Sequence, residues 1–99
     1  MNMNDKKYQN AVDKVAKELS TKTINELISM PNWGSIENHE NIQLGYSKWK
    51  RDDDVLQIHI LAQRTVFPFP RLYRKYHAGI AIENGNIRIL NEKELGEYD

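Results

Sequence analysis

The chain has 99 residues, 39% hydrophobic and 28% charged, and its 14 Lys and Arg balance 14 Asp and Glu. This length predicts one domain over residues 1–99 with one core, and the composition excludes both a disordered chain and a membrane-embedded one. The net charge of zero excludes a whole-protein field that would attract nucleic acid or an acidic membrane, so any such attraction must be local. Because cysteine is absent, disulfides, thiolate metal sites and a cysteine nucleophile are excluded as well.

The first residues, MNMNDKK, lack the apolar segment of a signal peptide, which predicts a cytoplasmic protein. Ten Asn and ten Ile are typical of proteins from AT-rich bacterial or phage genomes. The charge is uneven along the chain, since residues 44–77 carry a net charge of +4 and residues 78–99 a net charge of −3. A basic surface is therefore expected from the middle of the chain.

The N-terminal segment has the hydrophobic period of a helix. Apolar residues recur at i, i+3, i+4, i+7, i+8 and i+11 from Tyr8 to Leu19, which predicts an amphipathic helix. Asn4 is the expected N-cap, and Asp5 is expected to complement the helix dipole.

A second, shorter helix is predicted after a break near Ser20. Residues 23–26, TINE, form a capping-box pattern, and Pro31 prevents the helix from continuing. Residues 31–41 are rich in turn formers and show no period, which predicts a loop. Within that loop we expect Trp33 and Ile36 to cover the edge of the core.

From residue 42 onward the hydrophobic period becomes two, which is typical of half-buried strands. Apolar residues alternate with polar ones from Ile42 to Tyr46 and again from Leu56 to Ala62. An odd-length connection, such as residues 51–53, is needed to bring the apolar sides together. The predicted pairs are Tyr46 with Ile58, Leu44 with Ile60, and Ile42 with Ala62.

The clearest local signal is the segment GIAIENGNIRIL. Asn84 and Gly85 tolerate the positive φ angles of a type I′ turn, so they predict a two-residue hairpin. The predicted pairs are Glu83 with Asn86, Ile82 with Ile87, Ala81 with Arg88, and Ile80 with Ile89. Residues 91–95 are expected to add a helical turn.

Together these elements predict an α+β fold. An N-terminal amphipathic helix, with a short second helix, should pack on one face of a four-stranded antiparallel β-sheet meander. Strand alternation then places one set of side chains on the opposite face: Ser47, Trp49, Gln57, His59, Gln63, His77, Ala81 and Arg88. This face is either solvated or a binding surface.

Residues 64–77, RTVFPFPRLYRKYH, combine aromatic rings with cations, and we expect them to form the long connection between the second and third predicted strands. Phe67, Phe69 and Leu72 are expected to turn inward. The expected contact cations are Arg71, Arg74 and Lys75, displayed to an acidic protein partner. The alternative for this segment is binding of single-stranded nucleic acid, in which rings stack on bases.

Motifs that carry catalysis or cofactors are missing from the sequence. His59 and His77 are the only His pair placed on a common face, but no ligand spacing accompanies them, so we expect neither a metal site nor a cofactor. Residues 52–54, DDD, lack the pattern of a calcium loop and predict a solvated acidic turn. An enzyme would need a constellation assembled only by folding.

The sequence therefore favours a small non-enzymatic protein that binds another protein, of the immunity, inhibitor or phage accessory type. The residues expected to bind are Trp49, His59, Arg71, Tyr73, Arg74, Lys75, His77 and Arg88. Two alternatives remain: a nucleic-acid-binding module that uses residues 64–77, and a small-ligand binder or enzyme. The last would use a trough behind Gly79 and Ala81, surrounded by Ser47, Gln57, His59 and Arg88.

Overall fold

Within the part of the chain that the structure describes, two helices precede five strands. The computed structural model describes residues 3–36, 42–51, 54–66, 69–91 and 95, and side chains for residues 5–36, 42–51, 54–64, 74–91 and 95. The elements are α1 (Met3–Ser20), α2 (Ile24–Ser29), β1 (Trp33–Ile36), β2 (Leu44–Lys50), β3 (Leu56–Val66), β4 (Phe69–Glu83) and β5 (Asn86–Ile89). The strands form one antiparallel sheet in the order β1-β2-β3-β4-β5, and α1 packs against β3 and β4. The predicted α+β architecture is confirmed, whereas the predicted number of four strands is wrong.

The apolar face of α1 is buried as its period predicts. Its buried side chains pack on the sheet in one hydrophobic core, and the α1 members of that core are Ala11, Val12, Val15, Ala16 and Leu19. The helix begins at Met3, so Asn4 lies in its first turn rather than at the predicted cap position. Neither helix in the described ranges is long and apolar enough to cross a membrane.

The capping box at the start of α2 is confirmed. The Glu26 amide donates to the Thr23 hydroxyl at 3.2 Å, and the Thr23 amide donates to Glu26 Oε1 at 3.2 Å. At the other end of α2, the Lys48 ammonium donates to the carbonyl oxygens of Ile28 and Met30, each at 2.7 Å. A strand lysine therefore satisfies carbonyl groups that a helix leaves unpaired at its C-terminus.

Strand β1 lies where the sequence predicts only a loop. Trp33 pairs with Ser47 and Ile36 with Leu44, so the segment joins the sheet as an edge strand. A Cβ on Gly34 would lie 2.9 Å from the Tyr46 ring, which shows that this ring covers the glycine across the strand pair. Ile36 packs against the core as expected, but Trp33 is 78% exposed and does not cover it. Long-range pairing thus overrides the turn propensity of Gly34 and Ser35.

The register of β2 on β3 differs from the predicted one by two residues. Leu44 faces Ala62 and Tyr46 faces Ile60, because the connection is the five residues 51–55 rather than 51–53. Within it, the Asp54 amide donates to the Arg51 carbonyl at 3.0 Å, and Asp54 takes a positive φ of 64°. A shift of two residues leaves every side chain on its predicted face.

The described residues of the segment 64–77 do not form a connection but belong to two long paired strands, β3 and β4. Cross-strand pairs run without interruption from Leu56 with Ile82 to Thr65 with Tyr73, and the register shifts only between Thr65 and Val66. Proline is tolerated at such irregular positions, which is why Pro70 does not end β4. Residue 67 and the side chains of Phe69 and Leu72 lie outside the described residues, so their inward orientation stays a prediction.

The hairpin between β4 and β5 has the predicted register throughout. Its pairs are Glu83 with Asn86, Ile82 with Ile87, Ala81 with Arg88, and Ile80 with Ile89. Asn84 and Gly85 take φ values of 52° and 77°, as a type I′ turn requires. After β5, the Leu95 amide donates to the Asn91 carbonyl at 3.1 Å, which is the hydrogen bond expected of a helical turn.

Replacing Lys48 with Ala should lower the free energy of unfolding by about 1–3 kcal/mol, because carbonyl groups at the end of α2 lose a charged donor. The matched control is Lys50→Ala, since Lys50 is exposed and forms an exposed ion pair with Asp54 at 3.2 Å. That control should change stability by less than about 0.5 kcal/mol. Urea unfolding checks both variants, and equal effects would contradict the capping role of Lys48.

Candidate functional site

The face of the sheet opposite α1 carries the side chains that the alternation assigns to it. Ser47 pairs with His59 and His59 with Gly79, while Trp49 pairs with Gln57 and Gln57 with Ala81. Cross-strand partners share a face, so the predicted composition of this face is confirmed.

Part of this face is covered, contrary to the expectation of an open surface. Gln57 and His59 are only 1% and 2% exposed, and Ala81 is fully buried. Leu90 covers part of this face: its amide donates to the Gly79 carbonyl at 2.9 Å, a Cβ on Gly79 would lie 2.7 Å from Leu90 Cδ1, and Leu90 packs in one cluster with Ala81. The trough expected behind Gly79 and Ala81 is therefore filled by Leu90.

His59 lies in a small buried cluster of polar and aromatic groups. Its Nε2 is 2.8 Å from Gln57 Oε1, and because an amide oxygen only accepts, the histidine is the donor. The half-buried Trp49 stacks on the His59 ring with 5.9 Å between ring centroids. Trp49 and His59, both predicted to bind a partner, therefore contact each other on this face of the sheet. Trp49 is half-buried rather than exposed.

A groove opens on the β1 side of the sheet. It has a volume of about 530 Å³ and is lined by residues of β1, β2 and β3 together with Gln43; those used below are Trp33, Ser35, Ser47, His59, Leu61 and Gln63. Among the described residues that line it, none is Asp, Glu, Lys or Arg. Trp33, the most exposed of the large hydrophobic side chains in the described residues, forms part of its wall. We call this region the β1 groove.

The cations of the segment 64–77 do not form the single surface that the sequence predicts. Lys75 is exposed and pairs with Gln63, whereas Arg74 pairs with Arg64, so Lys75 and Arg74 lie on opposite faces of β4. The side chains of Arg71 and Tyr73 lie outside the described residues, and their binding roles stay predictions. Of the remaining candidates, His77 lies two residues from Lys75 on the same face of β4, and its carbonyl accepts a 3.0 Å hydrogen bond from Gln9. Arg88 lies 3.4 Å from Glu83.

Arg74 belongs to a buried cluster that the sequence does not reveal. Asp5 of α1 accepts hydrogen bonds from Arg74 at 2.8 Å, from Arg64 at 3.3 Å and from the Tyr76 hydroxyl. Arg64 also donates to the Tyr76 oxygen at 3.3 Å, and the Tyr76 ring packs against the Tyr8 ring. We call these groups the Asp5 cluster.

The charges of the cluster explain how a carboxylate can be buried. The hydrogen bond from Tyr76 lowers the pKa of Asp5 below its ordinary value of 3.8, against the effect of burial, and the two arginines lower it further. Burial and the hydrogen bond to Asp5 raise the pKa of the Tyr76 hydroxyl, which keeps that group protonated as a donor. Asp5 therefore stays ionised and links the start of α1 to β3 and β4.

One signal in the sequence could have pointed to this cluster. Asp5 stands three residues before Tyr8 and seven before Val12, so it continues the apolar stripe of α1 rather than its polar face. A charged residue in such a stripe needs a buried partner. The sequence does not say which cation supplies it, because Arg64 and Arg74 lie about sixty residues or more away.

No group of three or more His, Asp or Glu side chains in the described ranges is placed to hold a metal ion. The chain shows no match to a protein-family model, to a curated protein or to a solved structure.

Replacing Asp5 with Asn should lower the urea midpoint at neutral pH, because Arg64 then lies largely buried beside a neutral amide. Asp13→Asn is the control, since Asp13 is exposed on the same helix, and it should leave the midpoint nearly unchanged.

The pH dependence provides a second readout of the same substitution. The pKa of Asp5 is lowered in the folded state, so its contribution to stability is complete above 3.8 and is lost as the pH falls through the folded value. Asp5→Asn should therefore lose less stability than the wild type on acidification. Urea unfolding between about pH 3 and pH 7 checks this difference, and a wild-type profile for the variant would contradict the pairing.

Proposed function

We propose that this protein acts by binding another protein through the β1 groove and its rim. The observation that carries the proposal is a neutral groove of about 530 Å³ with a tryptophan exposed to 78% in its wall. Protein interfaces are depleted of charged residues at their centre and enriched in aromatic side chains, and tryptophan is prominent among the residues that dominate binding energy. A large exposed aromatic ring beside a concave surface fits that pattern.

The composition of the groove favours an uncharged partner group at its centre. Leu61 offers apolar contact, while the exposed amide of Gln63 offers hydrogen-bonding groups that can orient a ligand. A charged side chain would find no opposite charge among the described lining residues, and burying it beside them would be unfavourable.

The sequence predicts that Arg71, Arg74 and Lys75 contact an acidic partner. Of these cations, Lys75 is the one that we propose for this contact. Lys75 is exposed and pairs with Gln63, so it stands beside the groove on the same face. Arg74 fits this role less well, because it already binds Asp5. A carboxylate on the partner that contacts Lys75 would add steering and specificity rather than most of the affinity.

The class of protein proposed is a cytoplasmic binding protein of bacterial or phage origin, such as an immunity protein, an inhibitor or a phage accessory factor. The lack of cysteine supports a reducing compartment. The absence of a catalytic motif in the sequence and the small size support action by binding.

A photo-reactive amino acid at Gln63 tests whether the groove contacts a protein in the cell. Gln63 is exposed and lines the groove, so its cross-linked product should contain one predominant protein. The same probe at Ile28, which is 55% exposed on α2, is the control and should not capture that protein. Identical captures by both probes, or none at Gln63, would contradict the proposal.

Replacing Leu61 with Lys should weaken binding of the captured protein at least about tenfold, because it places a charge in the neutral groove. The control is Ile28→Lys, which also introduces a lysine at an apolar position but lies outside the groove, and it should retain wild-type affinity. Calorimetric titration with the purified partner gives the comparison. Both variants should be folded by circular dichroism, since the Leu61 side chain is only half-buried.

Replacing Lys75 with Glu should weaken the same complex about fivefold or more and slow its association, because an attractive charge becomes a repulsive one. Lys14→Glu, an equal charge change on the exposed face of α1, is the control. Surface plasmon resonance at two salt concentrations measures both rates. If the protein instead bound single-stranded DNA or RNA with an affinity that fell steeply with salt, the nucleic-acid alternative would replace this proposal.

A further inference from the structure

The outer edge of β1 can be located from one hydrogen bond. The Lys48 amide donates to the Asn32 carbonyl at 2.7 Å, which identifies that pair as a hydrogen-bonded one. Hydrogen-bonded and non-hydrogen-bonded pairs alternate along antiparallel strands. The pair of Trp33 with Ser47 is therefore non-hydrogen-bonded, that of Gly34 with Tyr46 is hydrogen-bonded, and Ser35 with Gly45 is again non-hydrogen-bonded.

The main-chain groups of Trp33 and Ser35 consequently point away from β2. The strand order ends at β1, so no strand in the described residues receives them. Natural edge strands are usually protected from pairing by a very short length, charged residues, proline or a bulge, and of these β1 shows only the short length. The sequence of β1, WGSI, has no charged residue and no proline, and its pairing with β2 shows no register shift. By contrast β5, the opposite edge, carries Arg88.

We propose that β1 pairs with β1 of a second copy of this chain, so that two sheets join into one. The edge is self-complementary in antiparallel orientation. With Trp33 opposite Ser35 of the second copy, the two outward residues of each strand face each other and form two hydrogen-bonded pairs with four main-chain hydrogen bonds. The two-fold axis then passes beside Gly34, which has no side chain to obstruct the close approach.

Pairing of two β1 strands would account for the exposure of Trp33 in the single chain. Trp33 and Ser35 lie on the groove face, and in this register the Trp33 residues of the two copies are diagonal neighbours on that face. Diagonal neighbours across antiparallel strands are within reach of aromatic side chains. Pairing would thus cover the most exposed large ring in the described residues and bring the two β1 grooves side by side.

Charge does not oppose this association. The chain has no net charge, the strand is neutral, and no described residue that lines the groove is Lys, Arg, Asp or Glu. The strand has only four residues, so the interface is small. Interfaces below about 1,200 Å² are typical of transient complexes, and we therefore expect a dimer that forms at high protein concentration and dissociates on dilution.

Ser35→Pro is the decisive variant, because it removes an outward amide without removing a hydrogen bond to β2. Ser35→Ala, which keeps the amide, is its control. Sedimentation equilibrium from about 10 µM to about 1 mM should show the wild type and Ser35→Ala rising from the monomer mass of 11.6 kDa toward twice that value. Ser35→Pro should stay monomeric or show at least a tenfold higher dissociation constant.

Three outcomes would overturn the proposal: a wild type that stays monomeric throughout, an Ala control that loses association together with the proline variant, or a proline variant that dimerises as strongly as the control. If the proline variant does not fold, Trp33→Lys replaces it, with Trp33→Phe as control. The lysines of two copies would be like-charged diagonal neighbours, so only Trp33→Lys should abolish dimerisation. Equal dimerisation of the Trp33→Lys and Trp33→Phe variants would show that the dimer does not form through the β1 edge.

Amide hydrogen exchange identifies the edge independently of any variant. The Gly34 amide already pairs within the sheet, so its protection should change little with concentration. The amides of Trp33 and Ser35 should become protected as the concentration rises. Concentration-independent exchange of both would exclude β1 pairing even if a dimer formed elsewhere. Both proposals draw on the exposed Trp33, but this interface is tested at the main chain of β1 and the partner contact at Gln63, Leu61 and Lys75, so failure of one can be distinguished from failure of the other.

Discussion

Strands β3 and β4 pair without interruption from Leu56 with Ile82 to Thr65 with Tyr73, and this register determines both faces of the protein. On one face, Ile58, Ile60 and Ile80 are fully buried beneath α1. On the other face the same alternation places the buried side chains of Gln57 and His59 and the β1 groove. A shift of one residue would exchange the two sets, burying polar side chains under the helix and exposing isoleucines. The position of every candidate binding residue on these strands therefore depends on this pairing.

The Asp5 cluster adds a directional contact to an otherwise apolar packing of helix on sheet. Hydrophobic burial favours contact but does not specify how a helix is rotated or where along a sheet it begins. A carboxylate that must lie between Arg64, Arg74 and Tyr76 permits few arrangements, because misplacement would leave buried charges unpaired. Arg74 forms an ion pair with Asp5 in this cluster, although the Arg74 side chain remains 55% exposed. Exposure alone is thus a poor indicator of which cation is available to a partner.

Local signals predicted the parts of the fold that local interactions determine. The capping box of α2, the apolar face of α1 and the Asn84–Gly85 turn each depend on residues close in sequence, and all three are confirmed. The predictions were wrong where the structure depends on residues that are distant in the sequence. In strand β1, Gly34 is covered by Tyr46, and residues 64–66 and 69–77, which were expected to lie in a connection, extend β3 and β4 with a register shift between Thr65 and Val66. The β1 groove was missed because its wall, Trp33, lay in the segment predicted as a loop.

The groove lies at β1 because the face of the sheet opposite α1 is less covered there by other parts of the described chain. A chain of 99 residues buries only about two-thirds of its unfolded surface, so it cannot cover both faces of five strands. Here α1 covers one face, and Leu90, which follows β5, covers the other near Gly79 and Ala81. On that face Ser47 and Trp49 of β2 are half-buried, and Trp33 of the edge strand β1 is 78% exposed. The exposed part of this face therefore follows from which strands the described residues cover, not from a recognisable motif.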